Sequence, residues 1–205
     1  MRRTKEEAAR TRQDVLKAAL IIFGEKGYSR ATLEQIASEA GVTRGAIYWH
    51  FHTKAELYNT LIEDYSARGA SIGEQAIADG GSFVDILRRI FIRLLQAVEE
   101  DADLRAIMEI YLFKTGLDPE LHTARLQQIQ SGQVLLEEIS DAMRMGIAAG
   151  ELRSDIDPLQ MARAFLAFQN GLIYLWLLSP ESFSLRANVE SMADILIGGL
   201  LREHR

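Results

Sequence analysis

Apolar positions recur at helical spacing along almost the whole chain, and no run of alternating β-branched residues bounded by turn pairs predicts a strand. The first segment, about residues 10–26, places Val15, Ala19, Ile22 and Phe23 on one face. Gly27 closes it as a left-handed cap. Thr32-Leu-Glu-Gln35 has the spacing of a capping box, a hydroxyl at the N-cap and an amide three residues on. The short helix it opens buries Leu33, Ile36, Ala37 and Ala40 and stops at Gly41. Thr43 caps a third helix reaching about Phe51, with Val42, Ile47 and Phe51 on its inner side. Thr53-Lys-Ala-Glu56 repeats the capping-box spacing and opens a long fourth helix carrying Leu57, Leu61 and Tyr65. Beyond Gly73 the pattern predicts helices at about 82–99, 103–114, 121–148, 157–178 and 185–203, making an all-α chain of about nine helices. The helix at 157–178 is apolar almost all round and is expected to be enclosed on every side. The last carries Val189, Met192, Ala193, Leu196, Ile197, Leu200 and Leu201 as an unbroken seam.

Composition narrows the function classes. A chain of 205 residues with 48% hydrophobic and 25% charged residues can bury a sizeable core without staples. Absence of cysteine excludes disulfides, a thiolate nucleophile and Cys-ligated metal, and suits a reducing cytoplasm. The charged N-terminus has no apolar run behind it, so it does not read as a secretory signal. The most apolar stretch, Phe165 to Leu178, includes Gln169 and Asn170 and is short of a membrane span. The net charge of -6 is unevenly placed: residues 1–58 hold ten Lys/Arg against seven Asp/Glu, and the remainder thirteen against twenty-two. A basic end on an acidic body suits a polyanion-binding head, although an excess this small also arises by chance.

The stretch from Thr32 to Lys54 carries the chemistry. Two short helices joined by a tight turn at Gly41 form the helix-turn-helix layout, whose second helix enters the DNA major groove. Gly41 supplies a backbone angle that a side chain would resist. On the outward side, Arg44 in the first turn can reach guanine O6 and N7 with two hydrogen bonds. Gly45 lets the backbone approach the groove, and Thr43, Tyr48 and His50 can bond phosphate oxygens or touch thymine methyls. Lys54, at the N-terminus of the fourth helix, and Thr32, at that of the second, are candidate phosphate ligands. Clustered aromatics are as often plain core. Phe51 is expected to be core and Trp49 mostly core against the following helix, with Tyr48 and His50 exposed.

GVTRGAIYWHF followed by TKAELY resembles the DNA-binding head of the tetracycline-repressor (TetR) family, and the likeness runs upstream through residues 10–58 without a gap. The resemblance implies an all-helical homodimer with two N-terminal heads, each joined to a larger C-terminal domain that binds a small molecule and thereby releases operator DNA. The expected division is a head at 1–55 and a ligand-binding and dimerisation domain at 56–205. The opening RRTKEEAARTR and the closing GLIYLWLLSPESFSL are similar to the branch that represses multidrug efflux pumps. Control of lipid or aromatic metabolism is the alternative.

An apolar pocket with a few placed polar groups is expected between the middle helices. Met108, Glu109, Leu112 and Phe113 are candidates on one side, and Phe165, Phe168, Gln169, Asn170, Ile173 and Trp176 on the other. Taken singly, each of these positions reads more readily as core packing. Met192, Leu196 and Leu200 are the candidate dimer contacts, with Gly198 and Gly199 allowing close approach; the seam can also pack inside its own subunit. No cofactor or metal is expected. Gly69-Ala-Ser71-Ile-Gly73 fits the G-x-S-x-G nucleophile elbow, but that motif works only on a strand-to-helix turn. A helical dimeric scaffold without a DNA role would explain the seam but not the outward Arg44, Tyr48, His50 and Lys54. Expected partners are therefore double-stranded operator DNA, a hydrophobic or aromatic effector and a second copy of the chain.

Overall fold

A computed structural model describes residues 5–116 and 118–201. The described residues form nine α-helices: α1 (Lys5–Lys26), α2 (Leu33–Glu39), α3 (Arg44–His50), α4 (Lys54–Ala78), α5 (Phe83–Glu100), α6 (Ala102–Glu109), α7 (His122–Ala148), α8 (Pro158–Leu178) and α9 (Leu185–Leu200). The backbone obeys the local signals. Gly27 and Gly41 take φ of 74° and 65° at the ends of the first two helices. Hydroxyl or carboxylate N-caps stand at Thr32, Thr43, Ser82, Asp157 and Ser184. Thr53 Oγ1 accepts from Glu56 N–H, but the Glu56 carboxylate reaches back to His52 N–H, one residue further than the expected box.

Four boundaries differ from expectation. α1 begins at Lys5 instead of about residue 10. α4 continues through Gly69 and Gly73 to Ala78, so the Gly69–Gly73 match lies inside a helix, where no nucleophile elbow forms. The helix expected at 103–114 changes pitch: α6 ends at Glu109, and Ile110–Lys114 form a π-helical turn, followed by a 3₁₀ turn at Pro119–Leu121. α9 ends at Leu200 instead of continuing to Glu203. Leu201 is extended, in a bridge with Leu152, and residues 202–205 lie outside the described set.

The chain divides into two compact units. One unit runs to Ala67 and also takes in Asp103–Arg125; the other comprises Arg68–Ala102 and Leu126 onward. In the first, α1 packs against α2, α3 and the π turn around Val15, Phe23, Tyr28, Ile36, Ile47, Phe51 and Leu57. Ile107, Ile110, Leu121 and Ala124 belong to the same core. Phe23, Tyr28 and Tyr58 form an aromatic trio with centroids 5.4–6.3 Å apart, each pair contributing about 0.5–1.5 kcal/mol beyond its area. Tyr28 N–H donates to the Lys114 carbonyl at 2.9 Å, and the Tyr58 hydroxyl lies 3.1 Å from Thr115 Oγ1.

In the second unit, Leu87, Phe91, Leu95 and Val98 form the buried face of α5, which packs against α8 and α9. The Phe91 ring lies 6.0 Å from both Phe165 and Phe168. Arg88 forks between Asp194 at 2.6 Å and Glu190 at 2.7 Å, one turn apart on α9. Glu151 accepts from Phe83 and Val84 N–H at 3.1 and 3.0 Å, closing the open N-terminus of α5. Those two bonds hold its carboxyl below the usual glutamate range. Gly146 faces the Phe83 ring so closely that a Cβ there would fall 2.5 Å from it.

α8 is not enclosed on every side. It buries Met161, Ala162, Phe165, Gln169, Ile173, Trp176 and Leu177, while Tyr174, Leu175 and Leu178 are exposed on a stripe with Ala164, Ala167 and Asn170. Alone among the described helices it is long and apolar enough to cross a membrane, yet it packs against α5 and α9.

Candidate nucleic-acid interface

The interface begins with two caps. Thr32 Oγ1 accepts from Gln35 N–H, and Gln35 Oε1 accepts from Thr32 N–H, which fixes the start of α2. Thr43 Oγ1 accepts from Ala46 N–H at 3.2 Å and fixes the start of α3. Each hydroxyl accepts with a lone pair, so its hydrogen can still be donated. Between the caps, the Gly41 turn and Val42 N–H bonding to Ala37 O at 3.0 Å set one helix across the other.

Ile47 is fully buried and orients α3. Positions one or two residues away therefore face sideways or outward at about 100° per residue. Arg44, Gly45 and Tyr48 are exposed as expected. Arg44 bonds the Glu34 carboxylate and donates to the Tyr48 hydroxyl at 2.8 Å, its guanidinium 5.3 Å from the centre of that ring. Tyr48 first, then Glu34, raises an already high Arg44 pKa, so the cation is permanent. A Cβ on Gly45 would meet nothing nearer than Thr43 Oγ1 at 3.9 Å. The fold does not itself demand glycine there, in keeping with a position kept bare for an external surface.

Three side chains depart from expectation. Trp49 is 80% exposed instead of core, because it lies two residues, about 200°, beyond the buried Ile47. Its exposure was readable from that spacing, and it adds an amphipathic ring with an N–H donor to the α3 face. His50, three residues past Ile47, shares part of its inner side; it is half-buried, with the ring tilted against Phe51 and Nε2 covered. The Lys54 side chain turns inward: only 16% exposed, its ammonium donates to the Tyr28 and Ala31 carbonyls at 3.1 and 3.3 Å and lies 3.8 Å from Glu120.

The candidate effector residues fall into two sets. On the first unit Met108 is buried, Glu109 lies 3.5 Å from the Lys114 ammonium, and Leu112 and Phe113 are exposed on the π turn. On the second, Phe165, Ile173 and Trp176 are buried and Phe168 half-buried beside Phe91. Gln169 is 6% exposed, and its Oε1 has no hydrogen-bond partner among the described residues. Asn170 lies on the exposed stripe of α8, away from this inner face.

The candidate dimer contacts need a larger correction. Leu196 and Leu200 are buried and Met192 half-buried in their own unit, because their seam is the one that meets α5 and α8. The exposed side of α9 instead carries Ala187, Ser191, Ile195, Gly198 and Gly199. Ile195 is 68% exposed, and a Cβ on either glycine would meet nothing within 4 Å.

Residues 15–61 match the family model described as bacterial regulatory proteins, tetR family, and residues 83–201 match that of the MAATS-type transcriptional repressor, C-terminal region. The chain is 37% identical over 200 residues to the HTH-type transcriptional regulator TtgR of Pseudomonas putida, covering 95% of this chain and 93% of TtgR. Among solved structures, it is similar to NalD, the secondary repressor of the MexAB-OprM multidrug efflux pump in Pseudomonas aeruginosa. That likeness has a TM-score of 0.85 at 30% identity and covers 98% of this chain and all of NalD. The complex of triclosan with SmeT, the repressor of the Stenotrophomonas maltophilia multidrug efflux pump SmeDEF, gives a TM-score of 0.82 at 29% identity. It covers 95% of this chain and 93% of SmeT.

Proposed function

The chain belongs to the TetR family of bacterial regulatory proteins, and from that premise we propose that it is a dimeric cytoplasmic repressor of a multidrug efflux pump, released from a palindromic operator by a hydrophobic or aromatic small molecule. The observation that carries the DNA half is the outward face of α3, where Arg44, Gly45, Tyr48 and Trp49 all lie open on a helix positioned by a capped helix-turn-helix. Thr32 and Thr43 lend hydroxyls to phosphates, and at the start of α4 the backbone N–H groups take over the phosphate contact expected of the Lys54 side chain. Two heads on a twofold dimer read half-sites one helical turn, about 34–36 Å, or a multiple apart.

The dimer reading is supported by apolar stripes facing solvent on both α8 and α9: Tyr174, Leu175 and Leu178 with Ile195, Gly198 and Gly199. Open apolar stripes of this kind are characteristic of association surfaces.

For the effector, the aromatic group of Phe91, Phe165 and Phe168, with the buried Gln169 carbonyl that has no partner among the described residues, is an apolar wall with one placed acceptor. The named repressors it resembles favour efflux over lipid or aromatic metabolism. A 100-fold release requires a coupling of about 2.7 kcal/mol.

The test is fluorescence anisotropy of DNA from upstream of the gene, titrated with protein, with and without a panel of hydrophobic aromatic compounds. Tight binding reversed by some of them is expected, with operator DNA weakening compound binding by the same factor. Tight binding indifferent to every compound would remove the efflux assignment and leave the DNA role.

A further inference from the structure

Arg44, the base-reading candidate of α3, already has partners before any DNA arrives. The Glu34 carboxylate on α2 holds one guanidinium nitrogen and the Tyr48 hydroxyl the other. Both ends of the ion pair are more than half exposed, and an open pair of this kind adds little to folding. Glu34 also stands in the first turn of α2, where a carboxylate suits the helix dipole, but that role needs no arginine. A carboxylate beside the groove-reading arginine is costly in one respect, since it faces the phosphates of any DNA that docks. Its value has to lie in what it does to Arg44.

A lone arginine beside a duplex takes the nearest phosphate, whatever the sequence. Held by Glu34, Arg44 gains little from that move, because it exchanges one anionic acceptor for another and leaves the carboxylate bare among phosphates. A guanine offers two coplanar acceptors, O6 and N7, that match the guanidinium fork, and the released carboxylate can accept from a cytosine N4 amino group. We propose that Glu34 is a specificity-determining positioning residue, which withholds Arg44 from the DNA backbone and releases it to a G·C edge. The inference rests on the reading of α3 as the operator-binding helix and names the residue that sharpens its choice.

The experiment compares the full-length protein with Glu34→Gln on two duplexes: one selected from a random pool by the unaltered protein, and one of scrambled sequence and equal composition. On the scrambled duplex the variant is expected to bind about tenfold more tightly, with the slope of log K against log salt steeper by about 0.9, the signature of one added phosphate contact. On the selected duplex affinity should change by less than about threefold, so the ratio between the two falls. Glu34→Asp keeps the charge but withdraws it from Arg44, and should lower the ratio likewise. In an Arg44→Ala background, Glu34→Gln should shift both duplexes by one common factor and leave their ratio unchanged.

Equal gains on both duplexes, an unchanged salt slope, or a fall in the ratio that survives in the Arg44→Ala background would each overturn the inference, the last by showing that Glu34 acts without Arg44. If Arg44→Ala and Tyr48→Ala left binding of both duplexes untouched, the underlying assignment of α3 would fail as well.

Discussion

The Lys54 ammonium lies 4.2 Å from the centre of the Tyr28 ring while donating to the carbonyl oxygen of the same residue at 3.1 Å. One side chain from the start of α4 thus fastens the turn between α1 and α2 by its ring and its backbone at once. Burial, with the Glu120 carboxylate bonded to its hydroxyl at 3.0 Å, pushes the Tyr28 pKa far above the phenol range, so that ring stays neutral. Lys54→Met keeps the aliphatic stem and removes the charge, leaving the Tyr28 and Ala31 carbonyls short of a donor. A loss of about 1–3 kcal/mol in urea unfolding is expected, with DNA affinity falling by the same factor on every sequence. A variant as stable as the parent would show that the contact contributes nothing to the head.

Trp49 should behave as a surface residue for folding and an interface residue for binding. Trp49→Ala is expected to move stability by no more than about 0.5 kcal/mol and to weaken DNA binding at least tenfold. The chain has two tryptophans, so Trp176→Phe leaves Trp49 as the sole indole reporter, and its emission should change on adding DNA. A silent signal at saturating DNA would place Trp49 off the interface.

Gly146 and Phe83 permit a test of packing in the second unit. Gly146→Ala sets a methyl against the ring and should cost about 1–3 kcal/mol. Combining it with Phe83→Leu should recover part of that loss, a non-additivity measurable by a double-mutant cycle. Strict additivity would mean that the two side chains do not compete for space.

Glu151 makes stability depend on pH. Its folded pKa is lowered, first by the Val84 and then by the Phe83 N–H, so the stabilisation is complete above the ordinary value of 4.5 and disappears as pH falls through the lower folded value. Glu151→Gln should therefore melt below the parent at pH 7, with the gap closing at acid pH. A gap independent of pH would mean that charge plays no part.

A charge placed on the exposed stripe of α9 should separate the copies without unfolding either. Ile195→Glu is expected to sediment as a folded monomer and to lose most of its affinity for a two-half-site operator. Leu196→Ala, in contrast, should reduce stability by about 2–5 kcal/mol, since Leu196 is internal. A dimer that persists in Ile195→Glu would move the association surface elsewhere.

What could be read in advance was local. Caps, glycine turns and helical faces depend on residues three or four apart, so Thr32, Gly41 and Ile47 announced themselves. Ile107, Ile110 and Leu121 show the same apolar spacing as any core residue, and nothing in that spacing says which core they join. Lys54 carried a clear position but an opaque direction, because its acceptors are 23 and 26 residues away. α9 is apolar on two sides, and the side with more leucine and valine took the interior, leaving Ala187, Ile195, Gly198 and Gly199 outside.

Because Asp103–Arg125 supplies part of the core in which α1–α3 are set, the DNA reader is not a portable module. Cutting the chain after α3 or within α4 and exchanging heads with a relative would bring Ile107, Ile110 and Leu121 against a foreign surface. Recombination between such genes can succeed only where two distant stretches travel together or already match. Substitutions on the outer face of α3 leave that core untouched, whereas exchange of the head alone would set it against a foreign segment some fifty residues downstream.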